Sequence, residues 1–310
     1  MNSWLASLSL GGGLVCLILG ANWLVAGGAS IAFRMGISAA VVGLTVISYG
    51  TSLPEFTVSV TSSLSGSSEL AFGNVLGSNI ANIGLILGVT AMVNPIGVDR
   101  DLMRRDHPFL LLATALMIIF AANGYISRLE GGILLGMGIS YTLFLILKKH
   151  DEVAREDVEK ASLLKSWGLI GLGIGFLLVG GHLAVTGATV LAKAWGMSER
   201  VVGITVVSVG TSLPELAASL TASFKGESDM ALGNIIGSNL FNILFVLGAV
   251  ALIHPLSITF NSSSYIDVGV MGAFVLLLWP VMKSHHRIMR YEGVLFVTCY
   301  GGYLTWLVMR

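Results

Sequence analysis

The sequence predicts an all-α membrane protein in which ten transmembrane helices form two inverted five-helix repeats. Three observations support this fold class: an apolar composition, ten apolar runs and a long internal repeat. Of the 310 residues, 55% are hydrophobic and 11% are charged, whereas a soluble domain has about 25% charged residues. Mean hydropathy is +0.86. The net charge of zero gives no indication of a nucleic-acid partner, so the lipid bilayer is the expected surrounding.

The ten apolar runs are the predicted transmembrane spans, because a spanning helix needs about 20 mostly apolar residues. They cover 5–30, 38–64, 70–94, 108–123, 129–148, 165–191, 198–224, 230–254, 265–282 and 292–309. The first run lacks a basic leading segment and is too long for a signal peptide, so we predict that it is a span. The two cysteines, Cys16 and Cys299, lie inside apolar runs and are predicted to be small apolar fillers.

The basic residues predict the orientation of the chain. Thirteen of the 17 Lys and Arg residues follow odd-numbered spans, and Lys and Arg favour the cytoplasmic side. The long polar stretch 148–165 follows the fifth span, and its composition predicts a solvated linker. We therefore expect an integral protein of the cell (inner) membrane with a cytoplasmic 148–165 linker and both termini outside.

An internal repeat relates the two halves at an offset of 160 residues. Residues 41–95 and 201–255 share 29 identities in 55 positions. The predicted domains are a first repeat at 1–147, the linker at 148–165 and a second repeat at 166–310. Because each half has an odd number of spans, the second half is expected to enter the membrane inverted. Inverted repeats are typical of transporters with a substrate site near the bilayer midplane.

Two acidic residues, Glu55 and Glu215, lie deep within predicted spans, each at the end of a "GTSLPE" hexapeptide. A charge at the bilayer centre costs roughly 2.5–3.5 kcal/mol on insertion scales, so such residues are functional candidates. No Lys or Arg lies at the same depth. We therefore expect the counter-charge to come from protons or from bound cations.

Other polar residues surround each glutamate at helical spacing. A serine, a threonine and the glutamate share one helix face in each repeat: Ser48, Thr51 and Glu55, and Ser208, Thr211 and Glu215. Prolines Pro54 and Pro214 remove the helical partners of the Gly50 and Gly210 carbonyls, which are then predicted to be available as ligands.

The following span of each repeat carries a serine and an asparagine four residues apart: Ser78 and Asn82, and Ser238 and Asn242. Asn74 and Asn234 are predicted to cap helices, and Asn79 and Asn239 to lie on a different face from Asn82 and Asn242. The donors are all oxygens, which suits Ca²⁺ or Na⁺ and not zinc or copper. Two carboxylates balance one Ca²⁺ or two Na⁺.

The segments "GTSLPE…GNVLGSN" and "GTSLPE…GNIIGSN" resemble the paired α-repeats of the sodium/calcium exchanger family, prokaryotic type, within the calcium/cation antiporter superfamily. The resemblance covers nearly the whole chain. It implies alternating access, with a pair of helices sliding past a rigid core, and several Na⁺ moving inward to drive one Ca²⁺ outward. It implies no resident cofactor, since Ca²⁺ and Na⁺ are transported. The ligands it implies are Glu55, Glu215, Thr51, Thr211, Ser52, Ser212, Ser78, Ser238, Asn82 and Asn242, with the backbone carbonyls of Ser48 and Ser208.

One position departs from the family pattern. Members often carry an aspartate at the last polar position of one repeat, whereas this chain has Asn82 and Asn242. The site therefore has two acids and not three, which leaves the Na⁺:Ca²⁺ stoichiometry open and makes potassium dependence less expected.

Other functions remain open at the level of the sequence. Proton-coupled exchange of Ca²⁺ or another divalent cation is the main alternative, because a buried glutamate can carry a proton. A passive channel on the same broken helices is a second. An intramembrane hydrolase is a third, but the chain has no nucleophile motif and no HExxH, so we do not expect an enzyme.

Overall fold

The computed structural model describes residues 2–148, 162–197, 202, 206, 208–258 and 262–309. These residues are almost entirely helical. Among them, seven helices are long and apolar enough to cross a membrane: Ser3–Met35, Ser68–Val93, Arg128–Leu147, Leu163–Ala194, Ser228–Ile253, Ser264–His285 and Arg290–Met309. The chain is therefore an all-α membrane protein.

The first half of the chain has six helices and two short strands. In order they are α1 (Ser3–Met35), α2 (Ala39–Thr51), α3 (Leu53–Leu64), α4 (Ser68–Val93), β1 (Ile96–Gly97), α5 (His107–Ala121), β2 (Tyr125–Ile126) and α6 (Arg128–Leu147). A π-helical turn, Leu102–Asp106, leads into α5. The predicted span 38–64 is divided into α2 and α3, and the predicted span 108–123 corresponds to the 15-residue α5.

The described part of the second half follows the same order. Its elements are α7 (Leu163–Ala194), α8 (Ser208–Thr211), α9 (Leu213–Phe224), α10 (Ser228–Ile253), β3 (Leu256–Ser257), α11 (Ser262–His285), β4 (Arg287–Ile288) and α12 (Arg290–Met309). Helix α7 begins at Leu163, inside the predicted linker. Residues 149–161 of that linker, and most of 198–207 in the predicted seventh span, lie outside the described residues.

Local sequence signals explain several helix ends. The Asn2 side chain accepts a hydrogen bond from Leu5 N at 2.9 Å and begins α1. Gly36, with φ +62°, ends α1 in the left-handed conformation that glycine adopts without a Cβ clash. Ser127 and Glu130 form a capping box that begins α6. Such caps satisfy backbone groups that a helix terminus otherwise leaves unpaired.

Helices α1 and α7 pack against each other along glycines. A Cβ on Gly20 would lie 2.8 Å from the Gly173 carbonyl oxygen, and one on Gly180 would lie 2.8 Å from Leu17 N. The contacts are thus made backbone to backbone, as small residues permit in membrane helices. Gly13, Gly20 and Gly27 follow one another at seven-residue intervals, which keeps them on one face of α1.

Two antiparallel strand pairs join the halves of the chain. Strand β1 pairs with β4, with Ile96 opposite Ile288, and β2 pairs with β3, with Ile126 opposite Leu256. Helix α5 separates β1 from β2, so the two pairs lie at opposite ends of the helical bundle. Each pair connects a loop of one half to a loop of the other.

Helices α4 and α10 occupy the centre of the protein. In their most apolar 18-residue windows, 78% and 83% of the residues are buried, compared with 22% in both α6 and α12. These two helices carry the predicted serine and asparagine ligands. The fold therefore places these predicted ligands in the interior of the protein.

Candidate functional site

Each "GTSLPE" hexapeptide forms a helix, a break and a second helix. Helix α2 ends at Thr51, Ser52 has φ −85° and ψ 11°, and α3 begins at Leu53. Ser212 takes nearly the same conformation, φ −91° and ψ 8°, between α8 and α9. The prolines lie in the first turn of α3 and α9, where a backbone N–H would have no acceptor within the same helix. Interrupted backbone at membrane depth is tolerated only where it is buried in protein or lines a cavity, and both serines are buried.

The two breaks meet, and their side chains cross between the halves. Ser52 Oγ donates to Glu215 Oε1 at 2.8 Å, and Ser212 Oγ donates to Glu55 Oε1 at 3.4 Å. Thr51 contacts Glu215 and Thr211 contacts Glu55 in the same crossed sense. Each carboxylate is thus oriented by hydroxyls of the opposite half. The structure brings these six predicted residues together: Thr51, Ser52, Glu55, Thr211, Ser212 and Glu215.

Among the described residues, no positive side chain lies beside the two carboxyl groups of the site. Glu55 and Glu215 are each 1% exposed and lie close enough to interact electrostatically. The ion pairs found among the described residues join Asp101, Arg105, Asp106 and Lys148, away from these glutamates. Within the same part of the chain, Oε2 of each glutamate has no hydrogen-bond partner. Two carboxylate oxygens are therefore available to a ligand.

Helices α4 and α10 widen at equivalent asparagines. A π-helical turn begins at Asn82 (Asn82–Leu87) and another at Asn242 (Asn242–Leu247). Turns of this type inside α-helices are frequent at functional sites. The sequence pattern did not predict these π-helical turns, although both asparagines are among the predicted ligands.

The serines and asparagines of these helices are buried, but they differ between the two halves in their hydrogen-bond partners. Asn242 Nδ2 donates to Ser78 Oγ and to Asn79 Oδ1, both at 3.1 Å. In contrast, neither amide atom of Asn82 nor the hydroxyl of Ser238 has a hydrogen-bond partner among the described residues. The site is therefore pseudo-symmetric in residue type and asymmetric in its hydrogen bonds.

The predicted helix caps Asn74 and Asn234 have a different role. They lie inside α4 and α10, and Ser67, not Asn74, precedes the first residue of α4. Asn74 Nδ2 donates to Glu55 O at 3.1 Å and to Ser59 Oγ at 2.9 Å. Asn234 makes the equivalent bonds to Glu215 O, at 3.4 Å, and Ser219 Oγ, at 2.9 Å. The capping prediction is wrong, because these amides tie each glutamate-bearing helix to the next helix.

The remaining predicted ligands are the carbonyls of Ser48 and Ser208. Ser48 is fully buried, and its carbonyl accepts from Ser52 N at 3.0 Å and from Thr51 Oγ1 at 3.3 Å. The Ser208 side chain lies outside the described residues. Ser59 and Ser219, which the sequence analysis did not single out, occur at matching positions of the repeat. That identity was the signal that could have found them.

A membrane bundle with paired helix breaks, two buried carboxylates and hydroxyl and amide oxygens defines a cation-transporting membrane protein. The sodium/calcium exchanger protein family matches residues 5–147 and 165–309 of the chain. The chain belongs to this family.

Individual relatives cover the chain almost completely. The putative antiporter CaxA of Alkalimonas amylolytica is 40% identical over 305 residues, which are 94% of this chain and 95% of CaxA. The sodium/calcium exchanger MaX1 of Methanosarcina acetivorans is 32% identical over 336 residues, 94% of this chain and 95% of MaX1. The solved structure of the sodium-calcium exchanger NCX_Mj soaked without Na⁺ and Ca²⁺ superposes with a TM-score of 0.86 at 33% identity, covering 99% of this chain and all of NCX_Mj. These relatives are transporters and not enzymes.

Proposed function

We propose that this protein exchanges Na⁺ for Ca²⁺ across the cell membrane by alternating access at the central site. The crossed pair of carboxylates carries the proposal. Glu55 and Glu215 are buried, each is oriented by a serine of the other half, and each keeps one oxygen without a partner among the described residues. The names of MaX1 and NCX_Mj, both sodium/calcium exchangers, support the same pair of ions.

Competition for the carboxylates explains the coupling of the two ions. One Ca²⁺ neutralises both glutamates, and so do two Na⁺, so either cargo removes the cost of two unpaired charges inside the membrane. The two cargoes cannot occupy the carboxylates together. A site that changes its accessible side only when its charge is neutralised then exchanges one cargo for the other.

The proposed ligands supply enough oxygens for Ca²⁺, which takes about six to eight. They are Glu55, Glu215, Thr51, Thr211, Ser52, Ser212, Ser78, Ser238, Asn82, Asn242 and the carbonyls of Ser48 and Ser208. All donors are hard oxygens, as alkali and alkaline-earth cations prefer.

The architecture that we propose is ten spans in two inverted repeats, 1–147 and 166–310, joined by a cytoplasmic linker at 148–165 with both termini outside. Three features recur at an offset of 160 residues and support two structurally related halves: the helix break, the π-helical turn, and the bonds from Asn74 and Asn234 to the glutamate-bearing helices. The distribution of Lys and Arg supports the orientation.

Transport by purified protein in lipid vesicles tests the proposal. Vesicles loaded with Na⁺ and diluted into Na⁺-free medium with ⁴⁵Ca²⁺ should accumulate Ca²⁺ above its outside concentration. A K⁺-loaded vesicle is the control. Absence of uptake driven by the Na⁺ gradient would exclude sodium coupling, and simple equilibration would indicate a passive channel.

Proton coupling is the alternative that the same observation allows, because a buried carboxylate without a counter-ion can also be neutralised by a proton. Uptake that follows an imposed pH gradient and ignores Na⁺ would establish this alternative. The two couplings are thus separated in one vesicle preparation.

A further inference from the structure

Asn79 lies on α4, three residues before the predicted ligand Asn82, and it contacts the other half of the chain. Its Nδ2 is 3.4 Å from the carbonyl oxygen of Asn239, and its Oδ1 accepts from Asn242 Nδ2 at 3.1 Å. The side chain is 1% exposed. We propose that Asn79 is a positioning residue that fixes the amide of Asn242 with its oxygen free to bind the transported cation. This inference rests on the proposed function of the central site.

A backbone carbonyl, that of Asn239, determines which way the amides of Asn79 and Asn242 face. A carbonyl can only accept a hydrogen bond, so the atom of Asn79 that faces Asn239 O must be its NH₂ group. The oxygen of Asn79 then faces Asn242, whose NH₂ group must be the donor of the hydrogen bond between them. Asn79 and Asn242 therefore each have one amide orientation that satisfies the hydrogen bonds of their neighbours.

Ser78 imposes the same orientation independently. Its hydroxyl donates to Asn74 O at 2.7 Å, so it offers only a lone pair to Asn242. The NH₂ group of Asn242 therefore has two acceptors, Ser78 Oγ and Asn79 Oδ1, while its Oδ1 has no partner among the described residues. A fully buried amide oxygen held in this way is preorganised to accept a cation. The reversed amide would turn its NH₂ group toward the cation.

The equivalent arrangement is not formed in the other half. Asn239, the counterpart of Asn79, donates to Ile235 O in its own helix at 3.2 Å. Asn82 and Ser238, the counterparts of Asn242 and Ser78, have no hydrogen-bond partner among the described residues. Asn79 therefore holds Asn242 by a hydrogen bond, whereas among the described residues Asn239 makes no such bond to Asn82. Asn239 is the natural control, since its side chain is equally buried and its carbonyl survives substitution.

Asn79→Ala removes the acceptor that holds Asn242. We expect its dissociation constant for Ca²⁺, measured with ⁴⁵Ca²⁺ on purified protein, to rise about tenfold, the effect of one lost buried hydrogen bond. Asn239→Ala should stay within about twofold of the wild type, because among the described residues the Asn239 side chain hydrogen-bonds to neither Asn82 nor Asn242. Asn79→Leu fills the cavity that alanine leaves and should show the same loss as Asn79→Ala. Equal losses in Asn79→Ala and Asn239→Ala, or unchanged affinity in a folded Asn79→Ala or Asn79→Leu, would overturn the proposal.

A second background separates positioning from packing. In Asn242→Asp the side chain has two equivalent acceptor oxygens, so no orientation has to be fixed. Asn79→Ala should then leave Ca²⁺ affinity unchanged or improve it, because Asn79 Oδ1 would face another acceptor. A tenfold loss that persists in the Asn242→Asp background would show a packing role and overturn the proposal. Failure of wild-type protein to bind Ca²⁺ would instead refute the proposed function, whatever the Asn79 variants show.

Discussion

Replacement of Glu215 by glutamine should abolish most Ca²⁺ binding, and the crossed hydrogen bonds indicate how. Ser52 donates to Glu215 Oε1 at 2.8 Å and leaves Oε2 without a partner among the described residues. In Glu215→Gln the serine still requires an acceptor, so the amide oxygen takes the Oε1 position. The NH₂ group then occupies the Oε2 position, where a cation would meet a donor.

The expected magnitude follows from the charge that is removed. Two unit charges 4 Å apart interact by about 4 kcal/mol at an effective dielectric constant of 20. The interaction of one carboxylate with a divalent cation is therefore about 8 kcal/mol before desolvation is subtracted. If desolvation cancels two thirds of this interaction energy, about 2.7 kcal/mol remains, which corresponds to a hundredfold change in affinity. We expect Glu215→Gln to weaken Ca²⁺ binding by at least about a hundredfold.

The assay is ⁴⁵Ca²⁺ binding to purified protein, followed by Na⁺-driven uptake into vesicles. Glu292→Gln is the matched control, since Glu292 is also largely buried but bonds to Ser284 Oγ and Met289 N at the start of α12. The affinity of the Glu292→Gln variant for Ca²⁺ should equal that of the wild type. If folded Glu215→Gln binds Ca²⁺ within threefold of the wild type, the assignment of the carboxylate pair to the cation site is wrong.

Three further tests, two of them comparisons of paired substitutions, address other parts of the structure. Ser52→Ala should reduce Ca²⁺ uptake more than Ser212→Ala, because the bonds that they remove measure 2.8 Å and 3.4 Å; equal initial rates would contradict this ranking. Gly237→Ala should lower the free energy of unfolding by about 1–3 kcal/mol, since its Cβ would lie 2.6 Å from a backbone oxygen, whereas Gly77→Ala meets no described atom within 4 Å; thermal unfolding in detergent compares the pair. Arg105→Ala should destabilise the protein by about 3–5 kcal/mol, because it leaves a fully buried carboxylate without its cation; an unchanged unfolding midpoint would contradict this.

The candidate site could be predicted from the sequence where residues of one repeat act together. The helical spacing of Thr51 and Glu55 and the offset of 160 residues selected both hexapeptides. The crossed pairing of Ser52 with Glu215 could not be predicted in this way. Periodicity shows which residues of one helix share a face, whereas contacts between the halves depend on how two broken helices pack.

The same limit explains the errors and omissions. Asn74 is predicted to cap a helix, but α4 already begins at Ser68, so Asn74 lies inside the helix and its amide reaches α3 instead. Asp106 lies just outside the predicted span 108–123, yet it is fully buried and hydrogen-bonded to Arg105 and to Tyr141. The π-helical turn before α5 brings it inside the bundle. Hydropathy alone does not detect a buried charge that its neighbours neutralise.

The strand pairs β1–β4 and β2–β3 have a mechanical consequence. Each pair ties a loop of one half to a loop of the other, and the pairs lie at opposite ends of the bundle. The helices that these loops connect are therefore braced against separation at both ends. Helices α1 and α7 contact each other through glycine backbones instead, and no strand adjoins either of them among the residues that the structure describes. The two strand pairs thus tie together, at both ends of the bundle, the loops that flank the central helices α4 and α10, which carry the predicted serine and asparagine ligands.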